Sequence, residues 1–285
     1  MNPFKICINI IGAYMANNEG QWGAVHLGPD NAAEACELLP KLARNEIAAI
    51  KIGHFLCERE LAVINTNMKD KTIAWYANKT NQQGRIGINA TGFSHETDGK
   101  RKYFDATPAA EEDRDQIFEG THSPINKILT FFEHGFDTKI ATEPELADVR
   151  YFTGLIRAMG AKSTLHFDYA PKQLPGWSVA NADEQFGLVL YLQMPEAGGE
   201  LNIYDHPWTP EDERHNNDHV EKGTFGYTEG FLGDTPSTSV LPSEGDLVVF
   251  KTRNFHQVDE IKSEKPRLGL TTFMSQQDDK LSLWS

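Results

Sequence analysis

Beyond Pro144 the chain changes texture. Residues 149–159, 163–168, 185–194, 201–204, 247–251 and 268–275 are β-rich runs separated by glycine and proline turns. Several short strands punctuated in this way predict a sandwich or jelly roll. Residues 205–240 interrupt the series: they are polar, hold Pro207 and Pro210, and show no clear period. A loop of that length inside a compact domain is more often functional than idle.

The first half reads as mixed helix and strand. Residues 6–15 suggest a first strand, too short to span a bilayer and a poor signal peptide. A short helix follows Pro29-Asp30, with Pro40 kinking or ending it. Residues 47–55 predict a buried strand, and 58–68 an amphipathic helix with Leu61, Ile64 and Met68 at helical spacing. Residues 78–104 are rich in glycine and polar side chains and read as loop, with short strands near Ile86 and Ile88. Ser123-Pro124 caps a helix that carries Ile128, Leu129, Phe131 and Phe132 and closes at Gly135. No linker divides the chain. The expectation is a single domain over 1–285, in which a helical or mixed part (1–145) packs on a jelly-roll core (146–285).

The 27 basic residues stand against 41 acidic ones, a formal charge of −14. That balance repels phosphate backbones and anionic bilayers, so neither nucleic acid nor membrane is an expected partner. Cys7, Cys36 and Cys57 are too few and too scattered for a disulfide framework, which fits reduced thiols in a cytoplasmic protein.

The chemistry concentrates on His166-Phe167-Asp168 and on His256, far along the chain. Side chains alternate along an extended strand, so His-x-Asp puts both groups on one side. A second histidine from another strand completes two imidazoles and a carboxylate, the facial triad that holds non-haem Fe(II) with three positions open. An isolated His-x-Asp is common by chance. Three features strengthen it here. Residues 245–250 form a turn into a buried strand, with His256 just past its end. Gly198-Gly199-Glu200-Leu201 is a tight turn between two strands. Arg267 begins the next strand, where a buried guanidinium needs an anion such as the distal carboxylate of 2-oxoglutarate. A surface ion pair of Arg267 with Glu260 or Glu264 is the alternative.

In this order the motifs resemble those of the Fe(II)/2-oxoglutarate-dependent oxygenases. Pro195–Leu201, the segment at Trp208 and Trp284-Ser285 resemble, more narrowly, the clade of the aliphatic halogenases of hapalindole-type alkaloid biosynthesis. The likeness is clearest over 150–285 and thins towards the N-terminus, where only 84–104 is comparable. It implies a distorted double-stranded β-helix (jelly-roll, cupin-like) with N-terminal helices. It also implies Fe(II) on His166, Asp168 and His256, 2-oxoglutarate on Arg267, and O₂ as oxidant, with succinate and CO₂ released. The halogenases carry a small residue at the carboxylate position, which leaves room for halide. Asp168 occupies it here, so the resemblance implies a hydroxylase relative or another C–H oxidation.

Further candidates are softer. By the resemblance, Ile88, Asn89 and Phe93 face the substrate. Arg157 and Thr153 share one strand face, and Arg157 is placed to bind a substrate carboxylate or phosphate or to pair with an Asp. Trp208 and Phe225 are candidates for a lid over the iron, and Tyr191 and Asn202 for hydrogen bonds to 2-oxoglutarate. His206, His215 and His219 read as solvated loop histidines rather than a zinc site, and His54 as a structural histidine. No nucleophile elbow surrounds Ser163 and Thr164, and Gly84 and Gly87 lack a dinucleotide-binding context. The sequence therefore predicts a cytoplasmic dioxygenase, monomer or homodimer, hydroxylating an aliphatic carbon of a free-standing small molecule: an amino-acid derivative, alkaloid or nucleoside-like metabolite. The rivals are a prolyl-hydroxylase-like enzyme acting on a peptide or protein, and a non-catalytic β-sandwich binding module.

Overall fold

A computed structural model describes residues 22–76, 82–217, 226–228 and 230–285. The strand expected at 6–15, Cys7, His219 and Phe225 lie outside these residues. The strands are β1 Ala24–Leu27, β2 Ala49–Ile52, β3 Ala74–Trp75, β4 Gln83–Ile86, β5 Asp137–Ile140, β6 Thr142–Glu143, β7 Val149–Arg150 and β8 Leu155–Met159. They continue with β9 Glu184–Gln193, β10 Leu201–Pro207, β11 Ser237–Val240, β12 Leu247–Lys251, β13 Asn254–Val258, β14 Arg267–Gln277 and β15 Lys280–Trp284. The helices are α1 Ala32–Ala43, α2 Glu58–Met68, α3 Ala90–Phe93, α4 Gly99–Phe118, α5 Pro124–Phe132 and α6 Ala170–Gln173.

The major sheet runs β1-β2-β12-β9-β14-β8-β4-β3, with β15 on the remaining edge of β14 and β5 beyond it. A smaller sheet, β11-β10-β13, packs against it. Both faces of the central strands are covered, which explains their nearly unbroken apolar sequence. In β9, Leu188, Leu190 and Leu192 face α1, α2 and α5, while Val189 and Tyr191 meet Leu201, Ile203 and Val240 of the small sheet. In β12, Leu247 and Val249 face the helices and Val248 and Phe250 face inward. The result is a jelly-roll core with helices on one side.

Several sequence expectations hold closely. The helix over 58–68 is α2, started by a capping box in which the Cys57 N–H donates to Glu60 at 2.8 Å. Pro40 sits within α1 without ending it. Others need correction. The N-terminal part does more than pack on the sheet: β1, β2, β3, β4 and β5 extend it. Residues 99–104, read as loop, begin the twenty-residue α4. Its buried stripe is Tyr103, Thr107, Ala110, Arg114 and Ile117, at helical spacing, but two of the five are polar and hide the period. The run 149–159 is broken at Gly154, whose φ of +91° leaves the extended region. Thr153 precedes that break and therefore does not share a strand face with Arg157.

Candidate metal centre and co-substrate pocket

After β12 the chain turns at 252–253 and crosses from the major sheet into the small one as β13. His256 thus lies past the end of β12, as expected, and inside the next strand. Residues 163–168 run antiparallel along the free edge of β13. His166 and His256 exchange both backbone hydrogen bonds, at 3.0 and 2.8 Å. The rest of this ladder is irregular: the Ser163 hydroxyl accepts the Val258 N–H, and the Asp168 N–H donates to Thr252 O at 2.9 Å. For that reason 163–168 is held by bridges rather than as a regular strand.

Direct opposition puts both imidazoles on one face, with ring centroids 4.3 Å apart, and alternation adds Asp168. The three ligand atoms lie within 4.8 Å of one another, with Asp168 Oδ2 at 3.9 Å from His166 Nε2 and 3.5 Å from His256 Nε2. The Nδ1 of His166 is 2.8 Å from Thr164 O, and that of His256 is 2.9 Å from Asn254 O. A carbonyl only accepts, so each Nδ1 carries the proton and each Nε2 presents a lone pair to the common point. Burial, with the charges of His256 and Arg157, pushes His166 down to about 4. Burial opposes ionisation of Asp168, but the His256 hydrogen bond and the charges of His166, His256 and Arg157 outweigh it and hold the carboxyl at about 2. A neutral His166 imidazole beside an ionised Asp168 carboxylate suits the binding of a divalent metal.

Arg267 opens β14 and points between the sheets, 6% exposed. Its Nη2 donates to the Tyr191 hydroxyl at 2.8 Å, its guanidinium lies 4.8 Å over the Tyr191 ring, and its Nη1 meets only the weak acceptor Met159 Sδ at 3.2 Å. The buried Nε has no partner among the described residues. The alternative of a surface pair with Glu260 or Glu264 is not realised. A buried guanidinium with open donors and no carboxylate is costly alone and fits an incoming carboxylate.

Other candidates fall elsewhere. Asn202 pairs with Gln257 while Ile203 pairs with His256, so Asn202 is on the outer face of the small sheet, away from Arg267. Trp208 is no lid over the triad. It stacks on Phe167 at 4.7 Å, within a cluster containing Phe255 and Tyr227. Phe167 and Phe255 alternate with the metal-facing residues, so this cluster lies behind them. Glu213 joins it by accepting from Trp208 Nε1 and the Tyr227 hydroxyl, and pairs with Lys172. The described parts of 205–240 thus brace the metal strand from outside, and the Tyr227 N–H donates to Leu165 O at 2.9 Å. His206 pairs with Asp212 at 3.1 Å, and His215 stacks on Phe231. Ile88 and Phe93 are partly buried against a cluster containing Ala170 and Trp177, just after Asp168. Asn89 accepts from Arg85 Nη1 at 2.8 Å. Arg157 forms no ion pair with an Asp among the described residues, although its charge reaches His166 and Asp168. The short strand expected near Ile86 is β4, but sequence reasoning did not single out Arg85 on it, because its place opposite Arg157 comes from pairing with a distant strand.

Residues 23–285 match the family described as carrier-protein-independent halogenase WelO5. The chain belongs to this family. The WelO5 family lies within the Fe(II)/2-oxoglutarate-dependent dioxygenases, with iron(II) and 2-oxoglutarate as cofactor and co-substrate. The chain is also similar to leucinostatins biosynthesis cluster protein S of Purpureocillium lilacinum, 29% identical over 125 residues, or 44% of this chain and 50% of that protein. Its likeness to the L-gamma-glutamyl-L-propargylglycine hydroxylase of Streptantibioticus cattleyicolor is 24% over 136 residues, 47% of this chain and 48% of that protein. The chain therefore spans about half the length of the curated relatives it matches. A solved structure, an N-substituted L-amino acid dioxygenase in complex with alpha-KG from Burkholderia ambifaria AMMD, shares the fold. Its TM-score is 0.61 at 14% identity, over 89% of this chain and 91% of that one. Among the described residues no helix is long and apolar enough to cross a membrane.

Proposed function

We propose that this WelO5-family member hydroxylates an unactivated aliphatic C–H of a free-standing small molecule. The observation that carries the reading is Asp168. Its carboxylate stands in the cluster with His166 and His256, where halogenation needs an open position for halide. The hydroxylase named among the relatives supports the same reaction, and amino-acid-derived metabolites are the substrate class that its name and that of the dioxygenase of like fold suggest.

The residues fit the two groups the family uses. His166 Nε2, His256 Nε2 and Asp168 hold iron(II), and the Thr164 and Asn254 carbonyls fix the tautomers. Arg267, oriented by Tyr191, anchors the distal carboxylate of 2-oxoglutarate. Bound iron and 2-oxoglutarate supply the oxidising chemistry, using O₂ and releasing succinate and CO₂ as one oxygen enters the substrate. The chain positions substrate and excludes water, with Val189, Ile203 and Phe250 forming apolar walls between the sheets.

The test is anaerobic titration of the protein with Fe(II) and then 2-oxoglutarate, followed by exposure to O₂ in chloride buffer with candidate acids. The expected results are a weak visible charge-transfer band that His166→Ala abolishes, succinate release, and a product gaining oxygen but no chlorine. A chlorinated product from the wild type overturns the hydroxylase assignment. Iron binding without any band on adding 2-oxoglutarate overturns the oxygenase reading itself.

A further inference from the structure

Arg85 on β4 and Arg157 on β8 are directly opposite one another across an antiparallel pair. Like charges in that position destabilise a sheet unless something lies between them. Both residues are partly buried. Neither forms an ion pair with a carboxylate among the described residues. Arg85 is held by neutral groups only: Nη1 donates to Asn89 Oδ1 at 2.8 Å and to the Tyr76 hydroxyl at 3.3 Å, and the guanidinium lies 5.2 Å from the centre of the Tyr76 ring. Arg157 has no hydrogen-bond acceptor among the described residues.

The pair faces the same way as the triad's pocket. Ile156 and Ala158 pack on the helical side of β8, so Arg157 and Met159 point between the sheets, and Met159 pairs with Arg267. On the other side of β8, Arg157 is opposite Gly269, which puts no side chain in its way. Gly92 serves Arg85 similarly, since a Cβ there would stand 3.3 Å from Nη1. With iron(II) and 2-oxoglutarate in place, the metal and Arg267 are balanced by Asp168 and the two carboxylates of the co-substrate. The charges of Arg85 and Arg157 are then left over, on the face where an organic substrate must sit.

We infer that Arg85 and Arg157 together bind a carboxylate of the organic substrate, so that this enzyme acts on a small organic acid held by its acid group beside the metal. This rests on the oxygenase reading above and narrows its substrate class. Two planar guanidiniums on adjacent strands suit a planar carboxylate, which accepts from both and relieves their repulsion. Asn89 keeps Arg85 in place without neutralising it.

The experiment is calorimetric titration, under argon, of protein loaded with Fe(II) and 2-oxoglutarate. The probes are hexanoate, hexanamide and hexyl phosphate, against wild type, Arg85→Gln and Arg157→Gln. Thermal unfolding of each protein is measured alongside. The expected result is hexanoate binding that hexanamide does not reproduce and that either substitution weakens tenfold or more. The charge-transfer band should remain, and unfolding without probe should occur no lower than in wild type, because a repulsion has been removed. Equal or absent binding of hexanoate and hexanamide overturns the inference, as does hexanoate binding unchanged in both variants. A marked preference for hexyl phosphate reassigns the site to phosphate and overturns the carboxylate. An Arg157→Gln protein that melts well below wild type shows a structural role instead. Failure of the band in wild type sinks the oxygenase reading, whereas a normal band with indifferent hexanoate sinks only the acid site.

Discussion

His166 and His256 face each other across a two-strand bridge, their backbones exchanging hydrogen bonds at 3.0 and 2.8 Å and their rings 4.3 Å apart. The candidate metal centre is thus built at a sheet edge by strand pairing, and any change in that pairing moves two of its three side chains at once.

Removing one imidazole should therefore abolish the site without unfolding the protein. His166→Ala is expected to weaken Fe(II) binding by at least about a hundredfold, since even supporting partners of metal ligands are worth about 10–100-fold. Metal titration with circular dichroism as a control checks this. Near-native affinity in the variant would remove His166 from the ligand set.

Arg267→Gln should raise the KM for 2-oxoglutarate by about a hundredfold, the loss of one or two charge-assisted hydrogen bonds at about 1.5–3 kcal/mol each. Tyr191→Phe should cost less, about threefold to tenfold, because it removes only the group that orients Arg267. Steady-state kinetics with 2-oxoglutarate as the varied component measures both. An Arg267→Gln enzyme with unchanged KM would place the co-substrate elsewhere.

Gly226 has φ of +104°, and a Cβ there would lie 2.6 Å from Thr164 Cβ and 2.9 Å from Leu165 O. Only glycine lets the loop approach the metal strand so closely. Gly226→Ala should destabilise the protein by about 1–3 kcal/mol and lower iron affinity with it. Thermal unfolding and metal titration of the same variant test the coupling; a variant as stable and as tight-binding as wild type refutes it.

Glu143 is 1% exposed, accepts from the Tyr151 hydroxyl at 2.8 Å and the Ser178 N–H at 3.0 Å, and pairs with Lys100 at 3.1 Å. Burial opposes its charge, yet these partners hold its carboxyl below the ordinary range. The lowered value means that its stabilisation is complete above the ordinary carboxylate pKa of about 4.3 and is lost as pH falls below it. Glu143→Gln should cost about 1–2 kcal/mol at neutral pH, and the difference from wild type should shrink on acidification to pH 3. Denaturant unfolding at both pH values reads this directly. A difference that grows in acid would show the opposite sign.

Much of this molecule is legible in one dimension. The central strands announce themselves because burial on both faces demands continuous apolar sequence, as in β9 and β12. The amphipathic α2 is visible because Leu61, Ile64 and Met68 keep the helical period. His-x-Asp carries its own geometry, since alternation alone puts the two side chains on one face. Arg267 stands out as a cation at the start of an apolar strand. By contrast α4 is concealed by Thr107 and Arg114 in its buried stripe, Asn202 looks equally suited to either side of its strand, and Trp208, just past the end of β10, reads as well for a lid as for packing.

The sequence by itself determined the layered β architecture, the chemical identity of the three candidate ligand side chains and the family. Those follow from local periodicity and residue type. Only the tertiary structure decided which strand faces meet. It put His256 opposite His166, turned Asn202 and Trp208 away from the pocket, and set Arg85 against Arg157 across two strands far apart in the chain. The physical reason is register: a shift of one residue reverses every side chain, and register is set by pairing between segments far apart in the chain.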